Sequence, residues 1–167
     1  MNELGVHALV WVAGWSDDEC ARAIEQTAEV GYDFIEASAP EPSAIDIDFT
    51  RRQLESHGIG INLSLGLSAD DDISSGDREK GARGKRRLED AVRVCRDLGG
   101  RYVGGILHSA FQKNVSPTTS AGVAMSADIM GEVASMASES GITLVMEVVN
   151  RYESNLLNTA SQGVEYC

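Results

Sequence analysis

Five times in succession this chain passes from a short apolar, β-branched run into a stretch with helical periodicity. A strand follows each of the first four helices, so the alternation calls for a parallel sheet with helices packed outside it. The strand-like runs are Leu4 to Val12, Asp33 to Ala37, Ile59 to Leu65, Arg101 to Leu107, and Ile142 running into Glu147. The first helix starts at a capping box, Ser16-Asp17-Asp18-Glu19, and places Cys20, Ala23, Ile24, Thr27, Ala28 and Gly31 along one stripe. Pro40 and Pro42 mark a loop before a helix from about Asp48 to Gly58. A polar loop, Ser68 to Asp77, precedes a long helix with Leu88, Ala91, Val92, Cys95 and Leu98 on one face. Ser116-Pro117 offers an N-cap and a first-turn proline for a fourth helix that stops at Gly141, and Asn158-Thr159 can open a fifth.

Two architectures satisfy that alternation: an open doubly wound sheet and a (βα)8 barrel. The open sheet's phosphate loop is missing, because no Gly-x-Gly-x-x-Gly follows the first strand. Bulky Trp11 and Trp15 stand there instead, suited to walling a pocket. A full barrel takes about 250 residues, whereas this chain has 167 and stops inside the expected fifth helix. The expectation is a single α/β domain over residues 1–167, the first five βα units of a (βα)8 barrel, truncated relative to the whole.

Composition narrows the partners. The chain is 43% hydrophobic and 24% charged, as suits a soluble globular protein. Its net charge of −12 argues against nucleic acid, since phosphate binders carry a basic face. The two basic clusters, Arg51-Arg52 and Lys85-Arg86-Arg87, are expected on solvated helix faces. No apolar run reaches the roughly 18 residues of a membrane span, and no secretory signal is recognisable. Three cysteines without metal-like spacing, two of them on apolar helix faces, point to a reducing compartment, the cytoplasm. Asp70-Asp71-Asp72 lacks the glycine and distal glutamate of a calcium loop, so solvated caps and turns are expected.

The chemistry concentrates near the end. Ile142 to Met146 reads as a strand buried on both faces and runs straight into Glu147, with Glu153 six residues on. A carboxylate at the end of a buried strand needs a metal, a cation or hydrogen bonds. In parallel α/β folds ligands gather at that end of the strands.

Glu147-Val-Val-Asn-Arg-Tyr-Glu153, followed by Asn155-Leu-Leu-Asn158-Thr-Ala, closely resembles the strand-five motif of D-tagatose 3-epimerase and D-allulose (psicose) 3-epimerase-like proteins, which are xylose isomerase-like barrels. Weaker matches are Gly5-Val-His7-Ala-Leu-Val-Trp11 with Trp15, Gly31-Tyr-Asp33-Phe-Ile-Glu36, Leu63-Ser-Leu-Gly66-Leu67, Asp72-Ile-Ser-Ser75 and Gly104-Gly105-Ile106. The resemblance implies a ketose 3-epimerase that uses a divalent metal, commonly manganese. Two glutamates then face opposite sides of C3, one removing its proton to give an enediolate and the other returning one. Glu147 corresponds to one of that pair and to a metal ligand, and Glu153 to a glutamate contacting the sugar near its carbonyl end. The family's remaining ligands and its second catalytic glutamate lie on strands six to eight, which this chain lacks, so residues 1–167 alone are expected to be inactive. An aldose–ketose isomerase of the same barrel group, or a non-catalytic fragment, are the alternative readings.

Further site expectations complete the picture. Asn150 and Arg151 are expected to orient Glu147. Trp15 is expected to pack on the sugar, or else only to cap the barrel mouth; Gly105 and Ile106 to line the pocket, or else to serve close helix–strand packing. His108, at the ligand-binding end of the fourth strand, is a candidate substrate contact, and Phe111 either covers a substrate or only seals its loop. His7 is either a core histidine or a ligand contact, and His57 a helix C-terminal histidine. A small ketose, no nucleic acid, no membrane and a homo-oligomeric full-length protein are the expected partners. Half a barrel on its own exposes two unpaired strand edges, which favour pairing with another copy or aggregation.

Overall fold

The structure, a computed structural model, describes residues 2–39 and 41–167. Five parallel strands, β1 (Gly5–His7), β2 (Phe34–Ser38), β3 (Gly60–Leu67), β4 (Tyr102–Ala110) and β5 (Thr143–Met146), follow one another across a single sheet in chain order. Helices α1 (Asp17–Val30), α2 (Ile47–His57), α3 (Arg78–Asp97), α4 (Ser120–Glu139) and α5 (Ala160–Tyr166) alternate with them. This is the expected α/β arrangement of a partial (βα)8 barrel. No helix among the described residues is long and apolar enough to cross a membrane.

Local signals set the helix ends. The Ser16 N–H donates to Glu19 Oε2 at 3.1 Å, closing the expected capping box. Asp46, Asp77 and Thr119 accept from first-turn amides of α2, α3 and α4. Gly31 and Gly58 end α1 and α2 in the left-handed region that other residues avoid. His57 Nδ1 lies 2.9 Å from the Gln53 carbonyl, the expected C-terminal role.

Alternation along the strands sorts side chains to two faces. Ile35 and Ala37 of β2 and Ile61 and Leu63 of β3 point outward and are buried against the helices. The expected helix stripes meet them there, with Cys20, Ala23, Ile24, Leu88, Ala91, Val92 and Cys95 all buried. The other face of the sheet is left for a cavity.

Five expectations are corrected. The first strand ends at His7 rather than Val12, because His7 Nδ1 accepts the Leu9 N–H and turns the chain into a 3-10 turn, Ala8–Val10. The fourth helix is capped by Thr119, not Ser116. Ser116 instead gives its carbonyl to the Asn155 side chain, and Thr118 donates to the Asn155 carbonyl. β5 is not buried on both faces: Val145 is 49% exposed, since its side chain looks into the cavity from an edge strand. Arg87 is not on a solvated face but pairs with Asp71, both largely buried. Asp71 and Asp72 are buried turn acceptors rather than solvated ones. Pro40 lies outside the described residues, and Pro42 opens a 3-10 turn, Pro42–Ala44.

Candidate functional site

The inner face of the sheet walls a cavity of about 760 Å³. Strand parity selects its lining: Phe34, Glu36 and Ser38 from β2, Asn62, Ser64 and Gly66 from β3, Val145 from β5 and Glu147 just beyond it. Gly105 and Ile106 line it from β4, as expected, with Phe111 at its rim and Glu153 beside it. Glu147 and Glu153 thus share one cavity.

Glu147 stands just past the last β5 residue, where its N–H still donates to the Gly105 carbonyl at 2.9 Å. Gly105 has a φ of +109°, and a Cβ there would lie 2.3 Å from the Leu65 carbonyl oxygen. Only glycine lets β3 and β4 approach at this depth of the wall. The Glu147 side chain is exposed to the cavity rather than desolvated at a strand end. Among the described residues it takes part in no ion pair and no side-chain hydrogen bond, so it is free to meet a ligand.

Glu153 is held differently. Asn150 Nδ2 donates to Glu153 Oε2 at 2.5 Å, and the Asn150 side-chain oxygen accepts the Tyr152 N–H at 2.8 Å. Asn150 therefore orients Glu153, not Glu147 as expected, because the turn brings residue 153 back over residue 150. Arg151 is exposed on that turn and pairs with neither glutamate among the described residues. The Glu153 carbonyl accepts the Gln112 N–H at 2.8 Å, tying the loop to the end of β4. Asn158 Nδ2 bridges the Val149 and Ser154 carbonyls at 2.8 and 2.9 Å. The asparagines of this segment supply the donors that a sheet would otherwise give.

Two of the residues expected near the substrate are not among those lining this cavity. Trp15 is not part of the cavity wall; its indole N–H donates to Thr50 Oγ1 at 3.4 Å, between α1 and α2. His108 does not line the cavity either. It is fully buried behind the wall, its Nε2 lies 3.1 Å from the Glu147 carbonyl, and its ring meets Tyr166 edge-on. Burial pushes its pKa below the ordinary histidine value, which keeps the ring neutral near pH 7.

His7, left open in the sequence between core histidine and ligand contact, lines the cavity with Glu36 and Ser64, and the sequence did not show that the three form one polar group. His7 Nε2 is 3.0 Å from Ser64 Oγ and 3.7 Å from Glu36 Oε1. Because Nδ1 accepts the Leu9 N–H, Nε2 carries the proton. The even-numbered positions of Phe34-Ile-Glu36-Ala-Ser38 were the available signal, since they alternate against buried Ile35 and Ala37.

A divalent cation needs several convergent donors. The described residues hold no cluster of three or more histidine, cysteine or acidic side chains placed to bind one. Glu147 offers one carboxylate, and the described residues do not by themselves fit a metal centre.

Comparison with known proteins agrees with this plan. Residues 24–167 match the family described as xylose isomerase-like TIM barrel. An L-ribulose 3-epimerase of Mesorhizobium japonicum is 40% identical over 166 residues, 99% of this chain and 56% of the relative. A ketose 3-epimerase of Arthrobacter globiformis is 37% identical over 98% of this chain and 57% of its own. The crystal structure of D-allulose 3-epimerase from Methylomonas sp. in complex with D-allulose superposes with a TM-score of 0.96 at 37% identity, over 98% of this chain and 57% of that one. The chain therefore spans somewhat more than half the length of the relatives it matches. With its parallel strands, outer helices and inner cavity in the order that match requires, the chain belongs to the xylose isomerase-like TIM barrel family.

Proposed function

We propose that this chain contributes the first five βα units of a sugar epimerase acting at C3 of a ketose, with Glu147 as one of the two groups that exchange the C3 proton. The observation that carries the reading is the placement of Glu147: a carboxylate with no side-chain partner among the described residues, on a main chain held by β4, facing a cavity large enough for a hexose. A carboxylate in reach of a C–H next to a carbonyl can act as general base and then as acid. The bond that breaks is C3–H, and its electron pair moves into the enediolate while the proton goes to a Glu147 oxygen. Glu153, fixed by Asn150, sits where a rigid acceptor can hold sugar hydroxyls. Gly105 and Ile106 line the cavity, and on this reading the carbon chain of the sugar lies against them.

Inversion at C3 needs a second proton donor on the opposite face, and the manganese that the resemblance implies needs further ligands. The described residues hold no cluster of three or more metal-binding side chains, and on this reading residues 1–167 do not turn over alone. The free edges of β1 and β5 favour assembly with a further polypeptide surface, another copy included. Buried, unpaired Cys20 and Cys95 suit a reducing, cytoplasmic setting.

The test is a chimera that joins residues 1–167 to the unmatched remainder of the Mesorhizobium relative. Incubated with D-allulose in deuterated water, it is expected to place deuterium at C3 and to form the C3 epimer. Glu147→Gln is expected to slow this by about 10²–10⁴-fold, the usual worth of a positioned acid–base group. Deuterium at C1 or C2 without C3 would mean aldose–ketose isomerisation instead. Full activity in Glu147→Gln would remove Glu147 from the chemistry.

A further inference from the structure

His108 poses a question that packing does not answer. Its ring is completely buried, yet Nδ1 has no hydrogen-bond partner among the described residues. A leucine of similar size would fill the space without stranding a buried acceptor. The other ring nitrogen explains the choice. Nε2 lies 3.1 Å from the main-chain carbonyl of Glu147, and a carbonyl only accepts, so Nε2 carries the proton.

That bond falls where the main-chain ladder fails. The last β4–β5 pair is Gly105 with Met146. Beyond it β4 leaves regular geometry: Gly105 takes a positive φ, and although Gly66 pairs with Ile106, Leu67 pairs with Ala110. Among the described residues the Glu147 carbonyl meets no main-chain N–H of β4, and the imidazole N–H stands in that place. The ring is itself held: Ser126 Oγ donates to the His108 carbonyl at 2.6 Å, the Tyr166 hydroxyl donates to Ser126 Oγ at 2.6 Å, and the two rings pack at 63°.

We propose that His108 is a positioning residue for Glu147, replacing the missing ladder bond and holding the glutamate's main chain from behind the cavity wall. The proposal rests on the reading of Glu147 as the acid–base carboxylate. With its N–H on Gly105 and its C=O on His108, Glu147 has a fixed base while its side chain stays free. A reacting carboxylate needs that arrangement, because small errors in placement cost large factors in rate.

The test uses residues 1–167 and needs no turnover, so it stands apart from the fate of the epimerase reading. Long-range proton–nitrogen NMR spectra are expected to show His108 as the Nε2–H tautomer. In His108→Leu, hydrogen exchange at the Glu147 amide is expected to quicken about tenfold more than at the Val103 and Leu144 amides, as local opening predicts. His108→Gln, whose terminal N–H can reach the same carbonyl, is expected to restore protection. An Nδ1–H tautomer would overturn the proposal even if His108→Leu fails to fold. So would equal acceleration across the sheet, or a Gln variant no better protected than Leu.

Discussion

Four glycines separate backbone strain from steric contact, and together they test how rigid the cavity wall is. Gly131, exposed in α4, has nothing within 4 Å of an added Cβ. Gly131→Ala is expected to stabilise by about 0.5–1 kcal/mol, the ordinary helix-interior difference. Gly99 has φ +79° and open space, so Gly99→Ala carries only the left-handed penalty, about 1–2 kcal/mol. Gly84 is helical, but its Cβ would sit 2.1 Å from the Asp71 carbonyl oxygen and 2.5 Å from Ile73 Cγ2. That is contact without strain, and a main-chain atom cannot rotate away, so overpacking of about 1–3 kcal/mol is expected. Gly105 has both faults, φ +109° and a Cβ 2.3 Å from the Leu65 carbonyl oxygen. The two terms add to roughly 2–5 kcal/mol for Gly105→Ala. At about 2–4 °C per kcal/mol for a chain of this size, its Tm should fall by roughly 10 °C. Urea unfolding of the four variants at constant m-value gives the comparison. A Gly105→Ala cost no larger than that of Gly99→Ala would refute the reasoning, because the Leu65 carbonyl would then be moving aside at no cost.

Other outcomes follow from single features. Asp71→Asn is expected to destabilise by about 3 kcal/mol in urea unfolding, since it strands the largely buried Arg87; a double variant Asp71→Asn, Arg87→Met should lose less than the single one. Burial pushes the Cys20 and Cys95 thiols up to about 11. The folded state therefore holds these protons more tightly than the unfolded chain, so their stabilisation is complete below the ordinary thiol pKa and is lost as pH rises from about 9 toward 11. Stability measured across that window should fall less steeply in Cys95→Ala. Manganese at micromolar concentration is expected to leave the Tm of residues 1–167 unchanged, because a native-state ligand must raise it and one carboxylate does not bind; a clear rise would show that the cavity assembles a site unaided.

What was legible in the sequence was local. The Ser16–Glu19 box, the Gly31 and Gly58 stops and the Thr159 start each depend on residues within one turn, and each is where the spacing puts it. The start of the fourth helix is not legible locally because it is decided at long range: Asn155 claims the Ser116 carbonyl from across the βα loops, and Thr119 is left to cap. The first strand was overextended for a related reason. Leu4 to Val12 is apolar enough for a strand, but a single His7 Nδ1 acceptor bends the chain after three residues of β1.

The site shows the same division more sharply. The Glu147 to Glu153 segment stands out in the sequence as a candidate site because a carboxylate directly after an apolar run is a conspicuous conflict between burial and charge. Its outcome was not readable, since the conflict is relieved by geometry: β5 is an edge strand and Glu147 opens into a cavity. His108 fails for a stricter reason. His108 ends the fourth strand at the ligand-binding end, and on a regular strand it would share a face with Ile106, which lines the cavity. Leu107, His108 and Ser109 have no register partner on β3, because the pairing passes from Gly66–Ile106 directly to Leu67–Ala110. That irregularity turns the imidazole behind the wall instead of through it. It also removes the ladder donor that Glu147 would otherwise have used, so the same break that displaces His108 creates the vacancy its Nε2–H fills. A pattern rule of period two fails at the point where the strand stops being regular, and here that point lies against the carboxylate assigned to the chemistry.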